Sequence, residues 1–226
     1  MTTPATGTPE SAGNRSARKR AAILAAAAEV FLRNGYMGAS MDEVAATAAV
    51  SKQTVYKHFA SKERLFTELI ESSVGQVDEM FRSAVDALHD TEDLDADLTA
   101  LARRFITFVI QPDVMRLRRL VIAEADRFPE LGRTFYEQGP QRVTAALADC
   151  FAHLHERGLL RVDEPRLAAY QFCWLVLSIP WNRVLFCGTD QMPAGAELEH
   201  YATTGVRVFL DAHRPAGQAA GPRSRK

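Results

Sequence analysis

The chain has 226 residues, 47% hydrophobic and 24% charged, which suits one medium domain or two small ones with a real core. Its formal net charge of −1 names no partner. No apolar run reaches the roughly 18 residues of a membrane span, Phe172 to Ile179 being the longest candidate, and the N-terminus shows no apolar signal core, so a cytoplasmic protein without a membrane partner is expected. The distribution of charge says more than the sum. Residues 15–62 hold eight Lys/Arg against three acids, a net of +5, whereas residues 63–213 hold fifteen Arg against twenty-four acids, a net of −9. A local basic field of that kind is what phosphate neutralisation needs.

Residues 1–14 are Thr, Pro, Gly, Ala and Ser with almost no large apolar side chain, and disorder is expected there. Arg15 to Arg20 carries four basic residues, which read either as an arm along phosphates or as the solvated start of a helix. A first helix is predicted from about Ser16 to Asn34, with Ile23, Ala27, Val30 and Phe31 on one face and Gly35 closing it. Ser40 followed by Glu43 has capping-box spacing and opens a second short helix with Met41, Val44, Ala45 and Ala48 inward. Ala49-Val50-Ser51 turns the chain. Ser51 then caps a third helix, Lys52 to Phe59, with Val50, Val55 and Phe59 inward and Lys52, Gln53, Thr54, Tyr56, Lys57 and His58 outward on an acid-free side. Lysine and glutamine bond base edges, while threonine, tyrosine, histidine and lysine bond phosphate oxygens. Small residues at Ala45 and Ala49 let two helices cross closely, as a helix-turn-helix requires.

A fourth helix opens at Ser61 and is long, with Phe66, Ile70, Val74, Val77, Phe81, Val85 and Leu88 in period. His89 to Asp97 breaks the pattern. Thereafter Pro112, Pro129, Pro140, Pro165 and Pro193 each precede a helical run, giving helices near 95–110, 112–127, 129–137, 140–157, 165–179 and 194–212, with Pro180 ending or kinking the fifth of these. Residues 214–226 read as a disordered tail. No strand alternation occurs, so the fold class is all-α: a helix-turn-helix domain over 15–62 and a larger helical domain over 63–213.

Ser40 to Lys62, and above all TVYKHFxSKExLF from Thr54 to Phe66, resembles the DNA-binding motif of the TetR family of bacterial regulators, and AAILAAAAEVFLRNGYMGASMDEVA from Ala21 to Ala45 matches as well. Ala49 departs from the glycine usual in that turn. If the position is left-handed, alanine costs about 1 kcal/mol there. The run PDVMRLRRLVIAEADRFPELGRTFYEQGP, Pro112 to Pro140, resembles the AefR-like C-terminal domain of the same family. The resemblance implies a homodimeric regulator, a repressor or an activator, binding a palindromic double-stranded DNA operator and answering to a small molecule. Lys52, Gln53 and Thr54 would face bases, Ser40, Tyr56, Lys57, His58 and Lys62 would grip phosphates, and Ser51, the cap of the third helix, belongs to the same DNA-binding set. It also implies a dimer through the helices near 165–179 and 194–212, with Leu167, Tyr170, Trp174 and Leu177 on one and Leu198, Tyr201, Val208 and Phe209 on the other as plausible contacts.

The second half concentrates the large aromatics. Phe105, Phe108, Phe128, Phe135, Trp174 and Trp181, with Leu117 and Leu120, either fill a core or line a cavity for an apolar or aromatic effector. Glu124 lies on the face of Leu117 and Leu120. It calls for a salt bridge to Arg103, Arg104 or Arg183, or else for a role as a polar hook for the ligand. No nucleophile elbow, phosphate loop, dinucleotide fingerprint or C-x-x-C occurs, so neither an enzyme nor a cofactor is expected. Cys150, His153, His155 and Glu156 are the one metal-like group, but His155 leaves the face shared by Cys150 and His153, and no metal is expected. Cys150, Cys173 and Cys187 follow no disulfide framework, which fits a reducing compartment; a thiol redox sensor of the same fold is the alternative input.

Overall fold

A computed structural model describes residues 12–215, with side chains omitted at 12 and 74–84. Among the described residues there are ten α-helices and no strand. They form two compact units that divide between Ile70 and Glu71. The division lies beyond the 62/63 boundary expected from the charge pattern, because Leu65, Phe66, Leu69 and Ile70 are buried with the first unit.

In the first unit, α1 (Ala12–Gly38) is helical from Ala12 onward, so the expected disorder fails at 12–14; its remainder, 1–11, lies outside the described residues. Gly35, at φ +71° and ψ 170°, interrupts the helix where a closing glycine was predicted. Only glycine enters that backbone region without strain. Ile23, Ala27, Val30 and Phe31 are all buried. Phe31, Tyr36 and Phe66 meet as an aromatic trio, with centroids 4.9, 5.0 and 5.8 Å apart, which pins the start of α4 (Lys62–His89) into this core.

Between them lie α2 (Met41–Thr47) and α3 (Lys52–His58). The turn is a complete Schellman closure: Val50 N donates to Ala45 O at 3.0 Å and Ala49 N to Ala46 O at 3.1 Å. It places Ala49 at φ +51°, a left-handed position for a residue with a Cβ. The capping box is half made. Ser40 Oγ accepts from Glu43 N at 3.1 Å, but the Glu43 carboxylate reaches α1 instead, taking Arg33 at 2.7 Å and Asn34 at 2.6 Å. A stronger charge-assisted partner has displaced the local one.

The second unit is built from the end of α4, α5 (Leu94–Val109), α6 (Pro112–Glu124), α7 (Pro129–Tyr136), α8 (Arg142–Glu156), α9 (Pro165–Cys187) and α10 (Gly195–His213). Val85 and Leu88 of α4 are buried as predicted; Val74, Val77 and Phe81 fall among the side chains left undescribed. The core runs between α5, α8, α9 and α10, with Phe151, Phe172 and Phe209 packed at centroid distances of 4.9 to 5.6 Å. At Gly205 of α10 a Cβ would meet Val176 Cγ1 at 2.7 Å and Leu175 O at 3.0 Å, so α9 and α10 touch through backbone.

Pro140 behaves otherwise than predicted, and of the two outcomes expected at Pro180, an end or a kink, the end does not occur. Pro140 starts no helix: it lies in a π-helical turn, Glu137–Gln141, that joins α7 to α8, and its carbonyl accepts from Thr144 Oγ1 at 2.8 Å. Pro180 does not end α9, which continues to Cys187. Proline removes one ladder bond and crowds the preceding turn, but Val176, Leu177 and Val184 are buried on both sides of it, and packing outweighs that local cost. Of the expected C-terminal tail, Arg214 is tied to Asp95 at 2.5 Å, and 216–226 lie outside the described residues.

Candidate DNA interface and ligand cavity

The outward face of α3 carries Lys52, Gln53, Tyr56 and Lys57 exposed and Thr54 and His58 half-buried, over an inward face of Val55 and Phe59. Ser51 Oγ accepts from Thr54 N at 3.1 Å and lies 2.8 Å from Thr54 Oγ1, so the cap also orients the threonine hydroxyl. Tyr56 remains 45% exposed, with the Lys52 ammonium 5.9 Å from its ring centroid. The face is not acid-free: Asp42 of α2 holds Lys52 Nζ at 2.7 Å, and this hydrogen bond raises the lysine's pKa. To reach a base edge, Lys52 has to leave Asp42.

Lys62 is placed differently from its expected phosphate role. Its Nζ donates to Tyr36 O at 2.9 Å, Ala39 O at 3.1 Å and Met37 O at 3.4 Å, and sits 4.8 Å from the Tyr36 ring centroid. All three ammonium protons point at the carbonyl-rich end of α1, whose partial negative charge draws them. Arg15, Arg18, Lys19 and Arg20 lie exposed on α1 and form no separate arm; Arg20 is paired with Glu68 and lies over the Phe59 ring.

Within the second unit is a cavity of about 310 Å³. Phe105, Phe108, Leu117, Phe135, Trp174 and Trp181, all expected as lining, do line it. Leu120, Glu124 and Phe128 do not. The α6 helix presents Leu117 and Arg118 to the cavity, while Glu124, its last residue, is half-buried and outside the lining. Two of its expected partners are engaged elsewhere, Arg103 with Glu199 at 3.1 Å and Arg183 with Glu197 at 2.9 Å.

Polar groups join the lining as well, Arg118 unforeseen and Tyr170 expected only as a dimer contact. Tyr136 and Tyr170 share a hydroxyl contact of 3.0 Å, which raises the Tyr136 pKa, and Arg118 stands over the Phe135 and Trp181 rings at 5.6 and 5.7 Å. Burial pushes the Arg118 guanidinium down to about 10. Spacing alone puts Tyr136 and Tyr170 on separate helices and gives no sign that their hydroxyls meet.

Leu177, Leu198 and Phe209, expected at a dimer contact, are core residues. Leu167, Trp174 and Val208 of the expected set are exposed, and so are Leu175, Ile179 and Phe186, which were not in it. The His155 ring accepts from Val162 N at 3.1 Å, and burial pushes the thiols of Cys150 and Cys173 up to about 12.

Residues 23–69 match the bacterial regulatory proteins of the tetR family, and residues 96–215 match the C-terminal domain of AefR-like transcriptional repressors. The fold is similar to a TetR-family transcriptional regulator from Mesorhizobium loti MAFF303099 (42% identity, TM-score 0.84, 89% of this chain and 99% of that one). It is similar also to the flavonoid-responsive regulator FrrA (30% identity, TM-score 0.70, 89% and 100%). The HTH-type transcriptional activator FasR of Mycolicibacterium smegmatis is 38% identical over 99 residues, 43% of this chain and 44% of the relative, so the chain spans under half of that curated protein. With a family match over more than half its length and a full-length structural relative at 42% identity, the chain belongs to the TetR family of bacterial transcriptional regulators.

Proposed function

We propose that the protein is a homodimeric, ligand-responsive transcriptional regulator that binds a palindromic DNA operator through α3 of each copy. The observation that carries this reading is α3 itself, a capped helix that buries Val55 and Phe59 and turns Lys52, Gln53, Tyr56 and Lys57 to solvent inside a family-matched helix-turn-helix. Gln53 and Lys52 read base edges. Tyr56, Lys57 and His58 hold phosphates, with Ser40, Ser51 and Thr54 fixing the ends of the two helices. The DNA-binding unit is assigned to residues up to 70 and the effector and dimer unit to those from 71 onward.

The effector is a small apolar or aromatic molecule in the cavity of the second unit, in keeping with its six large aromatic and aliphatic walls and with the flavonoid response named for FrrA. Ligand and DNA are coupled because each favours one of two conformations, and operator affinity falls only as far as the ligand prefers the other state. The high pKa of Cys150 and Cys173 leaves them little thiolate at neutral pH, which disfavours a redox input. Repression fits the AefR-like match; the likeness to an activator keeps the opposite sign as the second reading.

Selection of bound fragments from random duplex DNA tests the proposal. A palindromic consensus is expected. Tyr56→Ala should weaken binding to every sequence, while Gln53→Ala should relax preference at particular bases, by about 1–3 kcal/mol of discrimination. Equal losses on consensus and random DNA for Gln53→Ala would remove its reading role.

A further inference from the structure

The geometry points to an organic anion as the cavity's occupant, an apolar ligand whose acidic head pairs with Arg118. This deepens, and rests on, the reading of the cavity as the effector site. Among the described lining residues Arg118 is the one charged side chain, and they include neither aspartate nor glutamate. Other arginines of the same unit have carboxylates: Arg103 has Glu199, Arg116 has Asp113, Arg183 has Glu197 and Arg214 has Asp95. Among the described residues no carboxylate comes within ion-pair distance of Arg118.

A cation taken out of water without a counter-charge is costly. Here the faces of Phe135 and Trp181, each within 6 Å of the guanidinium carbon, supply partial compensation through their ring quadrupoles. Rings attract the cation but accept none of its five N–H donors as a carboxylate would. The planar fork matches two parallel anion oxygens, and a ligand head in that position would gain two charge-assisted hydrogen bonds in a dry site. Even with its pKa lowered by burial to about 10, the group keeps its charge at neutral pH. The hydroxyls of Tyr136 and Tyr170, also lining residues, offer a second, neutral anchor. The cavity is thus apolar in its walls, cationic at one point and free of described acids.

The sequence contains two tryptophans, Trp174 and Trp181, and both line the cavity, so intrinsic fluorescence reports its occupancy. The full chain is titrated with anilinonaphthalene sulfonate and, in parallel, with phenylnaphthylamine, the same skeleton without the sulfonate. We expect tryptophan quenching by both and roughly tenfold tighter binding of the sulfonate, the gain of one charge-assisted pair. Arg118→Met should erase that preference while binding of the neutral probe changes less than about twofold; Arg118→Lys, which keeps the charge but not the fork, should retain part of it. A sulfonate preference that survives in folded Arg118→Met overturns the anion proposal and leaves the cavity reading intact. Failure of both probes to quench the folded wild-type chain overturns the cavity reading, and the anion proposal falls with it.

Discussion

Ala49 sits at φ +51° in the turn between α2 and α3, and its two closing hydrogen bonds leave it no other conformation. Replacing it with glycine relieves the Cβ clash but adds freedom to the unfolded chain. The net expectation is a gain of about 0.5–1 kcal/mol, seen as a higher melting temperature. An unchanged or lower melting temperature would mean the turn relaxes around alanine. Lys62 is the converse case, a residue whose type suggests DNA and whose contacts are internal. Lys62→Met keeps the stem and removes the ammonium, so it should cost about 2 kcal/mol of stability, chiefly the loss of charged hydrogen bonds to three carbonyls. A variant that lost operator affinity at full thermal stability would restore the phosphate role. Sequence could show that position 62 is a lysine opening a helix. It could not show that the carbonyls of residues 36, 37 and 39 lie within its reach.

At the scale of the helix, Glu43 joins α2 to α1 in place of closing its own cap. Hydrogen bonds from Arg33 first, and Asn34 second, hold its carboxyl below the ordinary value of 4.5. A depressed folded-state pKa contributes stability that is present above 4.5 and is lost as pH falls through the folded value. Glu43→Gln should therefore flatten the acid limb of the stability curve below about pH 4.5 while leaving its shape at neutral pH alone. Denaturant titrations at a series of pH values check this, and an unchanged acid limb would mean that Arg33 and Asn34 prefer water to Glu43. Helix starts were legible because proline at a first turn and serine caps act locally: Pro112, Pro129 and Pro165 stand where predicted. Helix ends were less so. Pro180 and Pro140 carry the same local signal, and only the burial around them decides that the chain stays helical.

For the whole molecule, α9 carries Leu175, Ile179 and Phe186 exposed along one side, with Leu167 and, on α10, Val208 exposed as well, more apolar surface than so acidic a unit should leave in water. Phe186 is 80% exposed and Ile179 58%. Ile179→Asp with Phe186→Asp should convert a dimer to a monomer in sedimentation equilibrium and weaken operator binding at least about tenfold, since two linked half-sites are lost. A stable dimer in that variant would move the interface elsewhere. Periodicity assigned these two helices correctly as apolar but could not divide core from surface, because α9 is hydrophobic nearly all round: Leu177 and Leu175 differ by two positions and lie on opposite sides of that line. The cavity was half legible for the same reason. Its aromatics announced themselves by size, whereas Arg118 in the lining and the meeting of the Tyr136 and Tyr170 hydroxyls are known only from where distant helices bring them.

The backbone contact at Gly205 has a mechanical consequence. With Leu175 O and Val176 Cγ1 standing where a side chain would be, α9 and α10 have no cushion of rotamers to slide upon. At that crossing the two helices can shift only if their backbones part, whereas the cavity walls on α6 and α7 meet it through side chains such as Leu117, Arg118 and Phe135.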